Sequence, residues 1–197
     1  MVKGNVGCFE VVCLLALFMP RMLCAEERTV DLDAAKTKIS FVLSDVLHTV
    51  HGTFRLKEGH ISFDPDTNAI TGDIVVDATS GNSGSQIRDK RMTRNILEAQ
   101  RYPEIRFAPS KLAESIPATG SSAVKIEGSF LIHGDSHKIT IPMQIQIFQQ
   151  EIIATGKFVV PYVQWGMKNP STLFLKVNEK VEIDVTALGH LKGSHTP

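Results

Sequence analysis

Three stretches of the chain alternate apolar and polar residues, and this alternation constrains the fold more than any other feature. Residues 124–132, 139–147 and 181–185 place an apolar residue, or in one case glycine, at every second position. Because successive side chains of a β-strand point to opposite faces, the pattern predicts strands with one apolar and one wet face. Weaker strand signals occupy residues 39–43, 51–56, 60–63, 70–77, 105–110 and 152–161.

Turn-forming residues separate these segments at 57–59, 64–68, 133–136 and 155–156. About nine short strands in antiparallel order imply either a sandwich or a closed barrel. Pro142 has no backbone N–H, so we expect it at an edge or a bulge. Alternation alone does not distinguish a solid core from a hollow one, and on this evidence the solid core is the simpler interpretation.

Residues 85–99 follow a helical pattern instead. Ser83 or Ser85 can cap such a helix, and Pro103 favours an extended backbone at Tyr102 after it. The apolar residues that fall near helical spacing are Ile87, Met92, Ile96 and Leu97. The sequence therefore predicts a mostly β domain with one inserted amphipathic helix.

The first 25 residues have the parts of a secretory signal peptide. Lys3 supplies the positive region, residues 6–19 the apolar stretch, and Ala25 the small residue before the expected cut. The apolar stretch is shorter than the ~20 residues that span a bilayer. We expect cleavage after Ala25, a periplasmic or secreted location, and a mature domain of residues 26–197 without a stable membrane span.

Composition excludes several classes of function. Lys and Arg number 21, as do Asp and Glu, so no basic excess points to nucleic acid. All three cysteines, Cys8, Cys13 and Cys24, lie in the expected leader. The mature domain would then have neither disulfides nor thiolate chemistry.

Few residues offer catalysis or metal binding. The histidines with spacings that a metal or haem could use are His48, His51, His133 and His137. On a strand, residues three apart face opposite ways, although a turn at Gly134 could join His133 and His137. No Gly-x-Ser-x-Gly motif or phosphate-binding loop occurs. We expect no cofactor and no catalytic residue, and keep a histidine-based metal or haem site as an alternative.

Arg88 and Asp89 are the most informative polar pair of the predicted helix. They fit either a solvated helix face or charged hydrogen bonds that tie the helix to the strands. Both interpretations assign the pair a structural role.

The chain also resembles the YceI family from about residue 29 to residue 187. The central motif is Ser80, followed by Arg88-Asp89-Lys90-Arg91-Met92, Ile96-Leu97 and Arg101-Tyr102-Pro103-Glu104-Ile105-Arg106-Phe107. Upstream, the strands that resemble the family are 50–54 and 59–64, and downstream the similar hairpin spans 128–143. The late segment around Trp165 and the histidine positions match the family only loosely.

The resemblance implies a lipocalin-like antiparallel β-barrel of about eight strands that holds a polyisoprenoid or similar lipid in its lumen. It also implies a periplasmic or secreted carrier with a role in transport, storage or stress response. Tyr102 and Pro103, like Arg88 and Asp89, would then be structural. The expected ligand contacts in the lumen are Phe54, Phe107, Phe130, Ile132, Ile141, Met143, Ile145 and, at the mouth, Trp165.

Other interpretations stay open. An isomerase or cyclase on the same barrel would need a polar group inside the lumen, for which the histidines, Tyr102 and Tyr162 are the candidates. A homodimer is compatible with the sequence.

Overall fold

The computed structural model describes residues 27–45, 48–172 and 176–192. The expected leader, residues 1–25, lies outside the described residues. Within them, the structure has nine strands and one short helix. Their bounds are β1 Arg28–Leu32, β2 Lys38–Ser44, β3 Thr49–Phe63, β4 Ile70–Asn82, helix α1 Gln86–Arg91 continued by a π-helical turn Met92–Ile96, β5 Glu104–Leu112, β6 Gly120–Ile132, β7 Asp135–Phe148, β8 Glu151–Val160 and β9 Val181–Lys192.

The strands close into a barrel. Each strand from β2 to β9 pairs antiparallel with the next, and β9 returns to pair with β2. The short β1 lies between β3 and β9, the same two neighbours as β2, and so continues the line of β2. The chain turns between β1 and β2 where the Asp33 carboxylate accepts the N–H groups of Ala35 and Lys36 at 2.9 and 3.1 Å. The predicted eight-stranded antiparallel barrel with an inserted helix is confirmed.

The turn predicted at 57–59 is wrong, because β3 runs unbroken from Thr49 to Phe63. The register against β4 shifts between Leu56 and Glu58, which marks a β-bulge. The bulge moves the inward face from even positions such as Leu56 to odd positions such as Phe63. It interrupts the alternation, and that interruption resembles a turn in the sequence.

The turn predicted at 155–156 is also wrong, since β8 is continuous from Glu151 to Val160. A Cβ on Gly156 would lie only 2.2 Å from the Met143 sulfur. Gly156 is therefore needed for a close approach between strands. The β7–β8 ladder ends at Met143, so Pro142 lies just past it, consistent with its missing N–H.

The helical segment, residues 86–96, is shorter than the predicted helix over 85–99. Its last turn is π-helical, and Glu98 has a left-handed φ of 47° that stops the helix. Ile87 is 80% exposed, so its assignment to the apolar face is wrong: Ile87 lies five residues before Met92, on the opposite side of the helix. Of the described helices, none is long and apolar enough to cross a bilayer.

The barrel has two different ends. The helix end carries the helical segment, the β2–β3 and β6–β7 connections and the long β8–β9 connection, residues 161–180. The termini end carries β1, the last residue of β9 and the β3–β4, β5–β6 and β7–β8 connections. This arrangement follows from the antiparallel order, in which every second connection returns to the same end.

Candidate functional site

The barrel encloses a cavity of about 240 Å³ whose wall is almost wholly apolar. Seven of the eight predicted lumen residues line it: Phe54, Phe107, Phe130, Ile132, Ile141, Met143 and Ile145. They lie there because strand alternation points them inward from β3, β5, β6 and β7. The structure therefore has the lumen that the family resemblance implies, and not the solid core that alternation alone favoured.

Three polar residues border the cavity, and each polar group that they carry has a partner. The Tyr162 hydroxyl donates to the Asn178 carbonyl at 2.7 Å, and the Leu188 N–H donates to the Thr37 hydroxyl at 3.4 Å. The Arg106 guanidinium pairs with Glu104 at 2.8 Å and with Asp73. The cavity can therefore offer little beyond apolar contact.

The charges near Arg106 lie on the outer wall. Lys57 of β3 pairs with Glu104 at 2.5 Å, and Glu104 also accepts from Arg106. The hydrogen bonds from Lys57 and Arg106 lower the pKa of Glu104 below its usual range. Beneath this network Val75, on the outward face of β4, is fully buried. The charged side chains thus stay on the outer face of the sheet, where they cover an apolar residue.

Side-chain exposure differs along the lumen. Most lining residues nearest the termini end are at most 6% exposed, although Leu32 and Ile61 there are partly exposed. The buried ones are Val30, Phe63, Ile70, Ile116, Ile145 and Ile152. Near the helix end, many lining residues are partly exposed. They are Leu43, Phe54, Met92, Ile96, Phe158, Val181 and Ile183. The accessible part of the lumen therefore lies toward the helix end.

Trp165 does not line the cavity. Its ring stacks on His137 of β7 at 4.2 Å between centroids and lies 5.8 Å from the Phe130 ring. Phe130 in turn meets Phe158 of β8 at 6.1 Å. The β7–β8 pairing stops at Met143, and these rings lie between the two strands beyond that point. Trp165 therefore covers the barrel wall at the helix end.

Arg88 and Asp89 bind the residue that follows β4. Asp89 accepts both the N–H and the hydroxyl of Ser83, at 2.8 and 2.5 Å. Arg88 donates to the Ser83 hydroxyl and carbonyl, at 2.7 Å each. Ser85 occupies the N-cap position but makes no capping bond with its side chain. The pair thus ties the helical segment to the end of β4, one of its two proposed structural roles.

Tyr102 anchors the far side of the same segment. A Cβ on Gly134 would lie 2.5 Å from the Tyr102 ring, so the ring packs directly on the β6–β7 turn. His133 stands 5.2 Å from that ring and its Nε2 lies 3.4 Å from Glu98. Pro103 accepts the N–H of Ala78 through its carbonyl at 3.0 Å, just before β5 begins.

The four histidines have separate surroundings. His48 lies beside Asp45, His51 is exposed on the outer face of β3, His133 faces Glu98, and His137 lies under Trp165. Over residues 27–45, 48–172 and 176–192, no three His, Cys, Asp or Glu side chains lie close enough to hold a metal ion. The histidines are therefore not brought together as the metal alternative requires.

Several lining residues were not predicted. Phe41 and Phe158 lie on inward strand positions, and the weak alternation of 39–43 and 152–161 could have identified them. Tyr162 and Met167 come from the β8–β9 connection and cap the lumen, both at most 5% exposed. No periodic signal marks a loop residue, so the sequence named Tyr162 only as a candidate polar group of the lumen and did not name Met167. Burial raises the pKa of Tyr162 to about 12.

Solved structures share this fold. The chain is similar to Burkholderia cenocepacia BcnA, with 20% identity, a TM-score of 0.66, and coverage of 80% of this chain and 99% of that one. The chain is also similar to a polyisoprenoid binding domain from Saccharophagus degradans, implicated in plant cell wall breakdown. The two share 17% identity with a TM-score of 0.62, and the match covers 83% of this chain and 98% of that one. A YCEI protein of Campylobacter jejuni shares 20% identity with a TM-score of 0.58, and the match covers 73% of this chain and 86% of that one.

No curated protein matches the chain. The sequence pattern of the YceI-like domain, however, matches residues 31–188. This range runs from the end of β1 into β9 and so includes β2 to β8, the helical segment and most of β9. The chain therefore belongs to the family of proteins with a YceI-like domain.

Proposed function

We propose that this protein is a carrier that holds a long apolar molecule, a polyisoprenoid or a similar lipid, in the barrel lumen and catalyses no reaction. The observation that carries the proposal is the apolar cavity whose bordering polar groups are all paired. Transfer of apolar surface from water into such a cavity is favourable by roughly 25 cal/mol per Å². A lipid chain would therefore bind here without any polar anchor inside.

The dimensions of the cavity favour a slender ligand. Its volume of about 240 Å³ lies below that of typical small-molecule sites, which begin at roughly 300 Å³. Met92, Met143 and Met167 contribute flexible side chains to the wall. A chain of repeating small units can thread such a space, whereas a bulky rigid ligand would need the wall to move.

The comparisons agree with this proposal. One structure of the same fold is a polyisoprenoid binding domain. The sequence of residues 1–25 supports export, so we propose that the carrier works in the periplasm or outside the cell as a mature domain of residues 26–197.

Catalysis would need a polar group that faces the bound chain. Tyr162 is the nearest candidate, but its hydroxyl is committed to the Asn178 carbonyl. Burial raises its pKa to about 12, so it cannot act as a base near neutral pH. These features support binding over an isomerase or cyclase.

The first test is mass spectrometry of lipid extracted from protein purified from its native host. We expect one apolar lipid class in near-stoichiometric amount, and recovery of the same class after the purified protein is emptied and offered total lipid extract. Protein that repeatedly contains no lipid, and takes up none when offered it, would contradict the proposal.

The second test uses two valines on neighbouring rungs of the β8–β9 pair. Val181 faces the lumen and Val159 is 47% exposed on the outer wall. Val181→Phe narrows the accessible part of the lumen, so we expect roughly tenfold weaker binding of a fluorescent polyprenol. Val159→Phe adds the same ring outside and should bind as the wild type does. Equal affinities for the two variants would place the ligand elsewhere.

A further inference from the structure

We propose that the outer face of the helical segment, residues 86–96, is a docking surface for an anionic lipid bilayer, and that docking brings the accessible end of the lumen to the membrane. This inference goes beyond cargo binding. It concerns the side of the helix that faces away from the lumen, and its test uses vesicles without cargo. Docking can therefore fail while cargo binding stands, and the reverse.

The helical segment has two faces with opposite roles. Met92 and Ile96 face inward and line the cavity. Ile87, Lys90, Arg91 and Arg94 are all exposed, and their spacing of three, four and seven residues places them on one outward stripe. The inward side of the helical segment therefore covers the lumen. Its outward side exposes a stripe of basic residues with an apolar residue at one end.

The basic residues of this stripe are available. Within the described part of the chain, none of Lys90, Arg91 and Arg94 forms an ion pair. The two acidic residues nearest to them in sequence are engaged elsewhere, Asp89 with Ser83 and Glu98 with His133. The positive charge of the stripe is thus not neutralised by the segment that carries it.

Charge is distributed unequally between the two ends of the barrel. At the helix end, connections 83–103 and 161–180 together have eight basic and three acidic residues, and the β2–β3 connection adds the acidic Asp45. At the termini end, connections 64–69 and 113–119 have three acidic residues and no basic one, and the strand ends there add Arg28 and Lys192, of which Lys192 is paired with Asp31. An anionic surface would therefore orient the barrel with the helix end toward it.

Ile87 makes a bilayer a better partner than a soluble polyanion. It is 80% exposed, the most exposed of the large hydrophobic side chains in the described residues. Interfacial helices combine lysine and arginine on the polar side with an apolar side chain that enters the headgroup region. A nucleic acid or an acidic peptide would pair with the cations but would leave Ile87 in water.

The test is sedimentation of the purified protein with vesicles of phosphatidylcholine alone or mixed with phosphatidylglycerol. We expect binding to the anionic vesicles that weakens as salt is added. Removal of one basic side chain of the stripe should weaken binding to the anionic vesicles about fivefold. The triple variant Lys90→Gln, Arg91→Gln, Arg94→Gln should therefore bind roughly 100-fold more weakly, and Ile87→Ser should weaken binding without removing its salt dependence.

A matched control removes the same charge from the outer wall. Lys38, Lys111 and Lys125 are exposed strand residues outside the helix end, and the triple Gln variant of these three should bind as the wild type does. All variants keep the apolar segment 6–19 if the wild type does, so its contribution cancels in the comparison. Far-ultraviolet circular dichroism checks that each variant is folded.

Three results would overturn the proposal. The first is wild-type protein that does not distinguish anionic from neutral vesicles. The second is equal loss of binding in the helix variant and the wall control, which would mean that net charge alone matters. The third is unchanged vesicle binding in Ile87→Ser together with equally tight binding of polyglutamate, which would assign the stripe to an acidic protein partner.

Discussion

The two ends of the barrel are built from the same strands but are packed differently. At the termini end, inward side chains such as Phe63 and Ile145 also border the cavity but are only 2% and 3% exposed. At the helix end, inward side chains such as Phe54 and Ile183 remain partly exposed and border the cavity. One end thus supplies stability, and the other keeps the open volume that a ligand needs.

The covers of the two ends explain the difference. Leu112 and Ile116, near the short β5–β6 connection, are 1% and 2% exposed and fill the termini end. The helix end is covered by a helical segment and by Tyr162 and Met167 from a long connection. The helical segment and the β8–β9 connection are separate elements, held to the rest of the barrel by hydrogen bonds. They leave space beneath them that a single packed loop would fill.

The largest expected effect contrasts two phenylalanines of β3. Phe63→Ala should lower the free energy of unfolding by about 3–5 kcal/mol because this ring is 2% exposed and its removal leaves a hole among tightly packed side chains. Phe54→Ala should cost roughly half as much, since that ring already borders open volume and stays partly exposed. Urea unfolding followed by circular dichroism measures both. If Phe54→Ala is as damaging as Phe63→Ala, the two ends do not differ as described.

The next effect concerns alkaline pH and the tyrosine that covers the helix end. Burial raises the pKa of Tyr162 to about 12, whereas a tyrosine in the unfolded chain ionises near pH ~10. The higher pKa in the folded state means that neutral Tyr162 stabilises the fold by about 2 kcal/mol. This stabilisation is complete below about pH 10 and is lost as the pH rises toward 12.

Comparison with Tyr162→Phe isolates this contribution. The variant cannot ionise at this position, so its stability should fall less between pH ~10 and pH ~12 than that of the wild type. The lysines titrate in the same range but are common to both proteins. Parallel pH profiles for the two would show that Tyr162 is not buried as the structure has it.

The smallest effect tests the tie between the helical segment and β4. Asp89→Asn keeps the shape of the side chain but removes the charge from its bonds with Ser83, which should cost about 1–2 kcal/mol. Hydrogen exchange should become faster in the helical segment, while exchange in β1 and β6 at the termini end stays slow. Asp135→Asn changes an exposed acid near the helix end and should leave the exchange pattern unaltered. A uniform increase in exchange across the barrel for Asp89→Asn would mean that the helical segment is not a separate cover.

The candidate site was partly predictable because alternation is a local signal. It identified the inward faces of β6, β7 and β9, and seven lumen residues followed from it and from the family resemblance. Alternation did not identify Tyr162 or Met167, which no period marks. Helical spacing placed Ile87 on the wrong side of the helix. The predicted contact role of these side chains with a ligand stays a prediction until the cargo is known.

The sequence by itself determined which side chains face inward, because a strand has a period of two whatever it pairs with. Only the tertiary structure decided that β9 returns to β2 and closes the barrel, since that pairing joins residues far apart in the chain. It also decided that residues 57–59 form a bulge within β3, because the register there depends on β4. The cavity itself is such a non-local property: its volume is what remains after the two ends have been covered differently.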